Sequence, residues 1–230
     1  MTGTPVGPSA GRVWTPLDAR ERRVLGVMIE KAKTTPAGYP MTVNAIVTGC
    51  NQKNNRDPLS SYDDTDVEQA LDVLRTLGVV SEIDWLGRVP KYKHDAYKWL
   101  GVSRLELAVI AELLLRGPQT VGDLRVRAAR MEPIEDVAAL KPIVEELIAR
   151  RLMIELTPPG RGQMVSHNLY RTDELDGLKS RLHGHVVGDG PRAQAAPDRV
   201  EQLTREVEAL RAEVERLNVR LKALEGGLER

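Results

Sequence analysis

The spacing of apolar residues along this chain changes from a helical period to a strand period twice, in the same order. In the first half, segments that begin at Asp18, Thr42 and Asp64 place apolar residues three or four positions apart, which is typical of one buried helix face. Residues 79–83 and 89–93 then alternate, which predicts two short strands joined by a turn. This order of elements limits the fold more than any single motif does.

The second half repeats that order over residues 105–170. Three helical segments, the second capped by Thr120, precede strand segments at residues 152–157 and 164–170. The start of the third helix stays open, because Pro142 suits a first helical turn better than a helix interior. Three helices followed by a hairpin is the winged-helix order. We therefore predict a mainly α fold with small β-hairpins, of class α+β, that contains two tandem winged-helix domains.

Composition sets the remaining limits of the predicted domains. The first sixteen residues contain three prolines and three glycines, and residues 185–197 are rich in glycine, alanine and proline, so both stretches have too little apolar material to pack. The predicted organisation is a flexible arm at residues 1–16, winged-helix domains at 17–100 and 101–182, a linker at 183–198 and a coiled-coil helix at 199–230.

The last thirty residues carry a heptad pattern. Valine occupies three successive a positions and leucine every d position, which favours a parallel two-stranded coiled coil. In a parallel pair, Glu206 faces Arg211 of the second copy, and Arg220 faces Glu225. We predict a homodimer; the alternative is that this helix folds back on its own domains. The predicted dimerisation residues are Val200, Leu203, Val207, Leu210, Val214, Leu217, Leu221, Leu224 and Leu228.

Composition also excludes several classes of protein. The 33 basic and 33 acidic residues balance, so net charge indicates no partner. Cys50 is the only cysteine, which excludes an internal disulfide and a cysteine-rich zinc site. No apolar run reaches the roughly 20 residues that cross a bilayer, and the N-terminus lacks the features of a secretory signal. We expect a cytoplasmic protein that has no membrane partner.

The sequence contains no recognisable catalytic apparatus. Phosphate-binding glycine loops, paired-histidine zinc helices and nucleophile elbows do not occur in it. Cys50 lies among the apolar positions of the second helix, where a small buried thiol is common and inert. We therefore predict that the chain is not an enzyme and that it holds no cofactor or metal.

The charge of the predicted third helices bears on nucleic-acid binding. Winged-helix domains often place the third helix in the major groove, yet the outward positions here include Glu68, Asp72, Glu145 and Glu146. Positive charge lies on the hairpins, which are the wings of the two domains, on the second helix of the second domain, and before the third helix of the first domain. The candidate nucleic-acid or partner-binding residues are Lys53, Asn54, Asn55, Arg56, Arg88, Lys91, Lys93, Arg125, Arg127, Arg130 and Arg161. Alternatively, these are ordinary solvated charges.

Five short segments of the chain are distinctive. They are Leu17-Asp18-Ala19-Arg20-Glu21, Ile29-Glu30-Lys31, Tyr39-Pro40, Asn51-Gln52-Lys53-Asn54-Asn55-Arg56-Asp57-Pro58 and Arg116-Gly117-Pro118-Gln119-Thr120. Through them, about residues 17–171 of the chain resemble the YceH-like family of uncharacterised bacterial proteins. The resemblance implies tandem winged-helix domains and a cytoplasmic bacterial protein, and it implies no activity.

The segment from Asn51 to Pro58 suggests a physical hypothesis of its own. Two cations and four amides precede the third helix on an Asp57-Pro58 turn, so the loop offers hydrogen-bond donors on a defined bend. Such a loop suits a phosphate or a partner backbone. The alternative is that the amides satisfy the loop itself and cap the next helix.

Two functions follow from these observations. The first is a dimeric DNA-binding or transcription-regulatory protein that contacts double-stranded DNA through its wings and its basic second-helix surface. The alternative is a protein–protein interaction adaptor that binds no DNA, in which acidic third helices and a coiled coil hold partners together.

Overall fold

The computed structural model describes residues 14–83 and 89–186. Residues 1–13, the hairpin turn that contains Arg88, and the heptad residues from Val200 to Leu228 lie outside the described residues. The described elements are α1 (Ala19–Thr34), α2 (Val43–Cys50), α3 (Asp64–Thr76), β1 (Val80–Ile83), β2 (Lys91–His94), α4 (Ala96–Leu100), α5 (Arg104–Arg116), β3 (Gln119–Thr120), α6 (Val121–Ala128), α7 (Val137–Ala149), β4 (Met153–Glu155), β5 (Met164–His167) and α8 (Thr172–Val186).

The fold is α+β, with helices and two small antiparallel sheets. In the first repeat, which runs from α1 to β2, Val80 pairs with His94 and Ile83 with Lys91. The second repeat runs from α5 to β5, and its sheet has the order β3-β5-β4. An isolated bridge between Met41 and Tyr92 occupies in the first repeat the place that β3 occupies in the second. The two repeats therefore share one topology.

The predicted helix starts are confirmed, because side-chain caps fix them locally. Asp18 accepts a hydrogen bond from the backbone N–H of Glu21, whose side chain bonds back to the N–H of Asp18. Thr42 caps α2 and Thr120 caps α6 in the same way, without the reciprocal bond. These caps satisfy backbone N–H groups that a helix leaves without partners in its first turn.

Helix α7 begins earlier than a proline in the first turn would require. Asp136 caps it by accepting a hydrogen bond from Ala139 at 2.7 Å, so Pro142 lies inside the helix. A proline in that position supplies no N–H for the carbonyl of Ala138. Both residues are exposed, so water can satisfy that carbonyl. The cap and the burial of Leu140, Val144 and Leu147 against the core together stabilise the helix across Pro142.

The chain divides into two compact units after Gly177. The first unit contains α1 to β5 and the start of α8, and its hydrophobic core is continuous across the predicted boundary between residues 100 and 101. Helix α1 packs on α5, where a Cβ at Gly26 would lie 3.0 Å from Leu115. Of the second unit, the structure describes the rest of α8, which ends at Val186 within the predicted linker.

The end of the predicted N-terminal arm packs on the core. Trp14 donates a hydrogen bond from Nε1 to the carbonyl of Arg150 at 3.1 Å, and its ring lies 6.3 Å from that of Trp99. The N–H of Leu17 bonds to the carbonyl of Leu169 at 2.9 Å. An indole offers a large apolar surface and one donor, and both are used here.

None of the described helices is both long and apolar enough to cross a membrane.

Candidate interaction surfaces

A buried ion pair joins α1 to the loop that precedes α3. Arg56 bonds to Glu30 with both Nη atoms, at 3.2 Å and 2.5 Å, and its Nε donates to the carbonyl of Gly49 at 2.9 Å. The side chains of Arg56 and Glu30 are 0% and 3% exposed. Two parallel guanidinium–carboxylate bonds in a dry environment fix the geometry of both groups.

Arg130, which follows α6, extends this pair to the second repeat. Its Nη1 bonds to Oε1 of Glu30, and its Nη2 lies 3.0 Å from Oε2 of Glu112 on α5. Burial acts to raise the pKa of Glu30, but Arg56 and Arg130 outweigh burial and hold that pKa below its ordinary value. Burial acts to lower the pKa of Arg130, but the two carboxylates outweigh it and raise that pKa. Glu30 and Arg130 are therefore both charged at neutral pH.

Arg116 completes the group that we name the buried ion network. Its Nε lies 3.2 Å from Oε1 of Glu112 without hydrogen-bond geometry, and its Nη2 donates to Oδ1 of Asn55 at 3.0 Å. Asn55 adopts a φ of 60°, a conformation that asparagine tolerates better than most residues. The network consists of Glu30, Arg56, Glu112, Arg116 and Arg130.

Gln119 and Arg127 border the network. The amide of Gln119 donates to the carbonyl of Glu112 at 3.4 Å, and its Oε1 accepts a bond from Nη1 of Arg127 at 2.8 Å. Three of the distinctive sequence segments, which contain Glu30, Asn55 to Arg56, and Arg116 to Gln119, thus meet at one place. That place is the seam between the two repeats.

Amide side chains of the loop from Asn51 to Pro58 hold the loop itself, as the alternative predicts, but they do not cap the next helix, because the cap of α3 is Asp63. Asn51 donates to the carbonyl of Tyr62 at 2.7 Å and accepts from its N–H at 2.8 Å. Oε1 of Gln52 accepts a bond from Arg56 at 3.1 Å. Lys53 and Asn54 are exposed. The hypothesis of a surface grip therefore needs correction at Arg56, whose guanidinium is fully buried and bonded within the protein.

The predicted basic surface of α6 is also largely engaged in internal bonds. Nη1 of Arg125 donates to the carbonyls of Ile134 and Glu135, at 3.2 Å each. Arg127 bonds to Gln119, and Arg130 belongs to the buried ion network. The sequence places these side chains on one helix or just after it, but it does not show the backbone carbonyls, the amide and the carboxylates that accept their hydrogen bonds.

The remaining predicted cations belong to the two hairpins. Lys91 and Lys93 are half-buried on β2, and Nζ of Lys93 lies 3.7 Å from Oδ1 of Asp95. Arg161 is exposed in the second hairpin turn, next to Gly160 and Gly162, whose φ values of 144° and 80° favour glycine. The structure thus brings together Asn55, Arg56, Arg127 and Arg130, and it leaves Lys91, Lys93 and Arg161 on the hairpins.

The exposed faces of the third helices are those that the sequence predicts. On α3 the exposed residues include Glu68, Asp72 and Val73, and Arg75 on that face pairs with Asp72 at 3.3 Å and Glu82 at 2.9 Å. Val73 is 42% exposed. On α7 the exposed face includes the adjacent acids Glu145 and Glu146. The other predicted outward residues are exposed as well: Thr65, Gln69 and Thr76 on α3, and Ala149 on α7.

Cys50 and His167 are buried, and His94 is half-buried. Burial raises the pKa of Cys50 to about 12, so its reactive thiolate form is scarce at neutral pH. Burial lowers the pKa of His94 to about 4 and that of His167 well below its ordinary value. Within residues 14–83 and 89–186, no group of three or more histidine, cysteine or acidic side chains is placed to hold a metal ion.

The match to known proteins includes all five distinctive segments of the sequence. A family model described as a protein of unknown function, DUF480, matches residues 17–161. The chain belongs to this family. A UPF0502 protein of Rhodopirellula baltica is 48% identical over 180 residues, which make up 78% of this chain and 76% of the relative. UPF0502 proteins of Geotalea uraniireducens and Geobacter sulfurreducens are 42% and 40% identical, over 91% and 89% of this chain and 87% and 85% of their own lengths.

Membership of the DUF480 family confirms the resemblance to YceH-like bacterial proteins. The matched region contains the whole buried ion network and both third helices, and it ends at Arg161 in the second hairpin turn. The family is described as one of unknown function.

Proposed function

We propose that this chain is a non-enzymatic protein–protein interaction adaptor built from two winged-helix repeats. The topology supports the winged-helix assignment, because each repeat has three helices, a hairpin, and a short third strand or bridge beside the second hairpin strand. The buried Cys50 and His167 support the non-enzymatic assignment, because groups held neutral in a core do not reach a substrate.

The acidic exposed faces of α3 and α7 carry the proposal. A third helix that enters a DNA groove comes close to two lines of phosphates. Glu68 and Asp72 on α3, and Glu145 and Glu146 on α7, would then meet like charge. The same carboxylates attract a basic protein surface, and the partly exposed Val73, next to Asp72 in the sequence, adds an apolar contact.

DNA binding is the second candidate, and the hairpins favour it. Lys91, Lys93 and Arg161 belong to neither the buried ion network nor the α6 contacts, so they are the described cations best placed for phosphate contacts by the wings. Three such contacts would give a logarithmic salt dependence with a slope of about −3, which is weak for a DNA-binding protein.

Dimerisation through the C-terminal heptads completes the proposal. The leucine and valine positions from Val200 to Leu228 support it by their spacing. Truncation before Val200 should halve the solution mass measured by light scattering. An unchanged mass would reject the dimer.

Two measurements separate adaptor from DNA-binding protein. Fluorescence anisotropy with a mixed-sequence duplex should show no saturable binding at concentrations below about 10 μM in 50 mM salt, because non-specific binding through few contacts is weak. Submicromolar binding that falls with a slope near −3 would favour DNA.

The second measurement uses the full chain as bait in a lysate of its source cells. A protein recovered in stoichiometric amount should be lost with Glu68→Lys/Asp72→Lys and kept with the control Glu135→Lys/Asp176→Lys. The control makes the same charge change at exposed residues outside α3. Equal loss with both variants would reject α3 as the contact surface.

A further inference from the structure

The seam between the repeats carries a surplus of positive charge. Arg56, Arg116 and Arg130 lie in the buried ion network, and Arg127 is connected to it through Gln119. Glu30 and Glu112 are the carboxylates that pair with Arg56, Arg116 and Arg130, whereas Arg127 has no salt bridge to a carboxylate among the described residues. The group therefore has a net charge of two positive units in a partly buried place, where solvent screens charge poorly.

The surplus charge is concentrated on Arg116 and Arg127. Arg56 uses all its nitrogen atoms on the carboxylate of Glu30 and on neutral oxygens nearby. Arg116 and Arg127 each make one guanidinium hydrogen bond to a described residue, in both cases to an amide oxygen, although a guanidinium has five donors. Nε of Arg130 and Nε of Arg116 are buried and have no hydrogen-bond partner in the described region.

Neutral amides hold these guanidiniums in fixed orientations. Asn55 fixes Arg116, Gln119 fixes Arg127, and the fully buried Glu112 contacts Arg116, Arg130 and Gln119. The side chains of Arg116 and Arg130 are 22% and 25% exposed, so the group is recessed but reachable from solvent. Positively charged guanidinium donors that are already held in place lose little conformational entropy when they bind an oxyanion.

We propose that Arg116, Arg127 and Arg130 form a recessed site for a phosphate group, supplied by a small phosphorylated molecule. Phosphate has the charge to balance the surplus and has several acceptor oxygens for the unused donors. A recessed site suits a terminal phosphate of a small molecule better than a phosphate in the backbone of a duplex. The site is separate from the acidic faces of α3 and α7, so it does not depend on the adaptor proposal.

The test measures thermal stability of the full chain in sodium phosphate and in sodium pyrophosphate, with sodium chloride at equal ionic strength as reference. Both anions should raise the melting temperature by several degrees in a saturable way, because ligands that bind the native state stabilise it. Arg127→Gln should weaken the anion affinity at least tenfold. Arg161→Gln removes the same charge from the second hairpin and should leave the response intact.

Stability without the anion separates binding from structure. In anion-free buffer, Arg127→Gln should lower the melting temperature by at most about 2 °C, because it relieves charge repulsion but removes the donor to Oε1 of the buried Gln119. A fall of several degrees would show that Arg127 holds the fold together, and it would overturn the proposal.

Three other results would also overturn it. The first is equal stabilisation by pyrophosphate and by chloride, and the second is an equal response of the Arg127 and Arg161 variants. The third is stabilisation by a DNA duplex at a lower concentration than pyrophosphate requires, which would assign the bound phosphate to a nucleic acid. The adaptor proposal is decided by the lysate measurement, which does not involve this site.

Discussion

Replacement of Glu30 by glutamine tests whether the buried ion network stabilises this fold. Glu30→Gln keeps the size of the side chain but removes the charge that Arg56 and Arg130 share. Arg56 then keeps its bonds to neutral oxygens, and Arg130 keeps Glu112. The variant therefore isolates the contribution of one carboxylate.

The expected loss of stability follows from burial. The side chain of Arg56 is 0% exposed, so water cannot replace the lost carboxylate. Loss of one partner from a buried ion pair typically costs about 3–5 kcal/mol, because the remaining charge is left uncompensated. Domains of this size are typically stable by only about 5–15 kcal/mol, so the free energy of unfolding should fall by about a fifth or more.

Urea unfolding followed by circular dichroism at neutral pH measures this loss. With a slope of about 2–3 kcal/mol per molar urea, the midpoint should fall by about 1–2 M. Glu82→Gln is the matched control, because Glu82 pairs with Arg75 at the surface, where their side chains are 28% and 42% exposed. An exposed pair contributes at most about 1 kcal/mol, so this midpoint should hardly move.

A double-mutant cycle shows whether the loss belongs to the pair. Glu30→Gln/Arg56→Met removes both charges and should be less destabilised than the sum of the single variants by about 2–3 kcal/mol. A fall of less than about 1 kcal/mol in the free energy of unfolding of Glu30→Gln, or single effects that simply add, would show that the buried pair does not stabilise the fold.

Three further predictions concern the core. Burial holds the pKa of His94 at about 4, so the unfolded chain binds a proton before the native protein does as the pH falls from 6.5. The free energy of unfolding should therefore fall by up to about 3 kcal/mol between pH 6.5 and 4. Urea midpoints measured over this range should fall less for His94→Asn than for the unchanged protein. Gly49→Ala places a Cβ 2.5 Å from Cγ1 of Val27 and should cost about 1–3 kcal/mol, which an unchanged melting temperature would contradict. Cys50 should react with a thiol reagent at least about 100-fold more slowly in the native protein than in urea, and fast native labelling would show that it is accessible.

Local signals in the sequence predict the order of the elements and their starts. A cap such as Asp18 or Thr120 acts on N–H groups two or three residues away, so the relevant contact is visible in the sequence. Outward positions on α3 follow equally well, because the period of a helix fixes which residues share a face. The short strand β3 has only two residues and leaves no period to detect.

The buried ion network depends on long-range contacts and is not predictable in this way. Glu30 and Arg130 are 100 residues apart in the chain. Glu112 interrupts the apolar run from Leu107 to Leu115, and every residue in that run is buried. An acid at such a position is a signal of a buried partner, but the pattern does not identify the arginine.

The same limit explains why the candidate cations were only partly predicted. The sequence shows that Arg125, Arg127 and Arg130 lie close together along the chain. It does not show that the carbonyls of residues 134 and 135, an amide and two carboxylates lie within their reach.

The buried ion network favours a fixed geometry over maximal stability. Apolar side chains of similar volume often stabilise a core as well as a buried ion pair does, but their contacts have no direction. Arg130 bonds to Glu30 on α1 and to Glu112 on α5, so sliding of these two helices would break one of the bonds. Helix α3 packs on α1, and α7 packs on α6, which in turn packs on α5. We infer that the network holds both acidic faces in one relation, so that a partner contacting both meets a preformed surface and loses less entropy on binding.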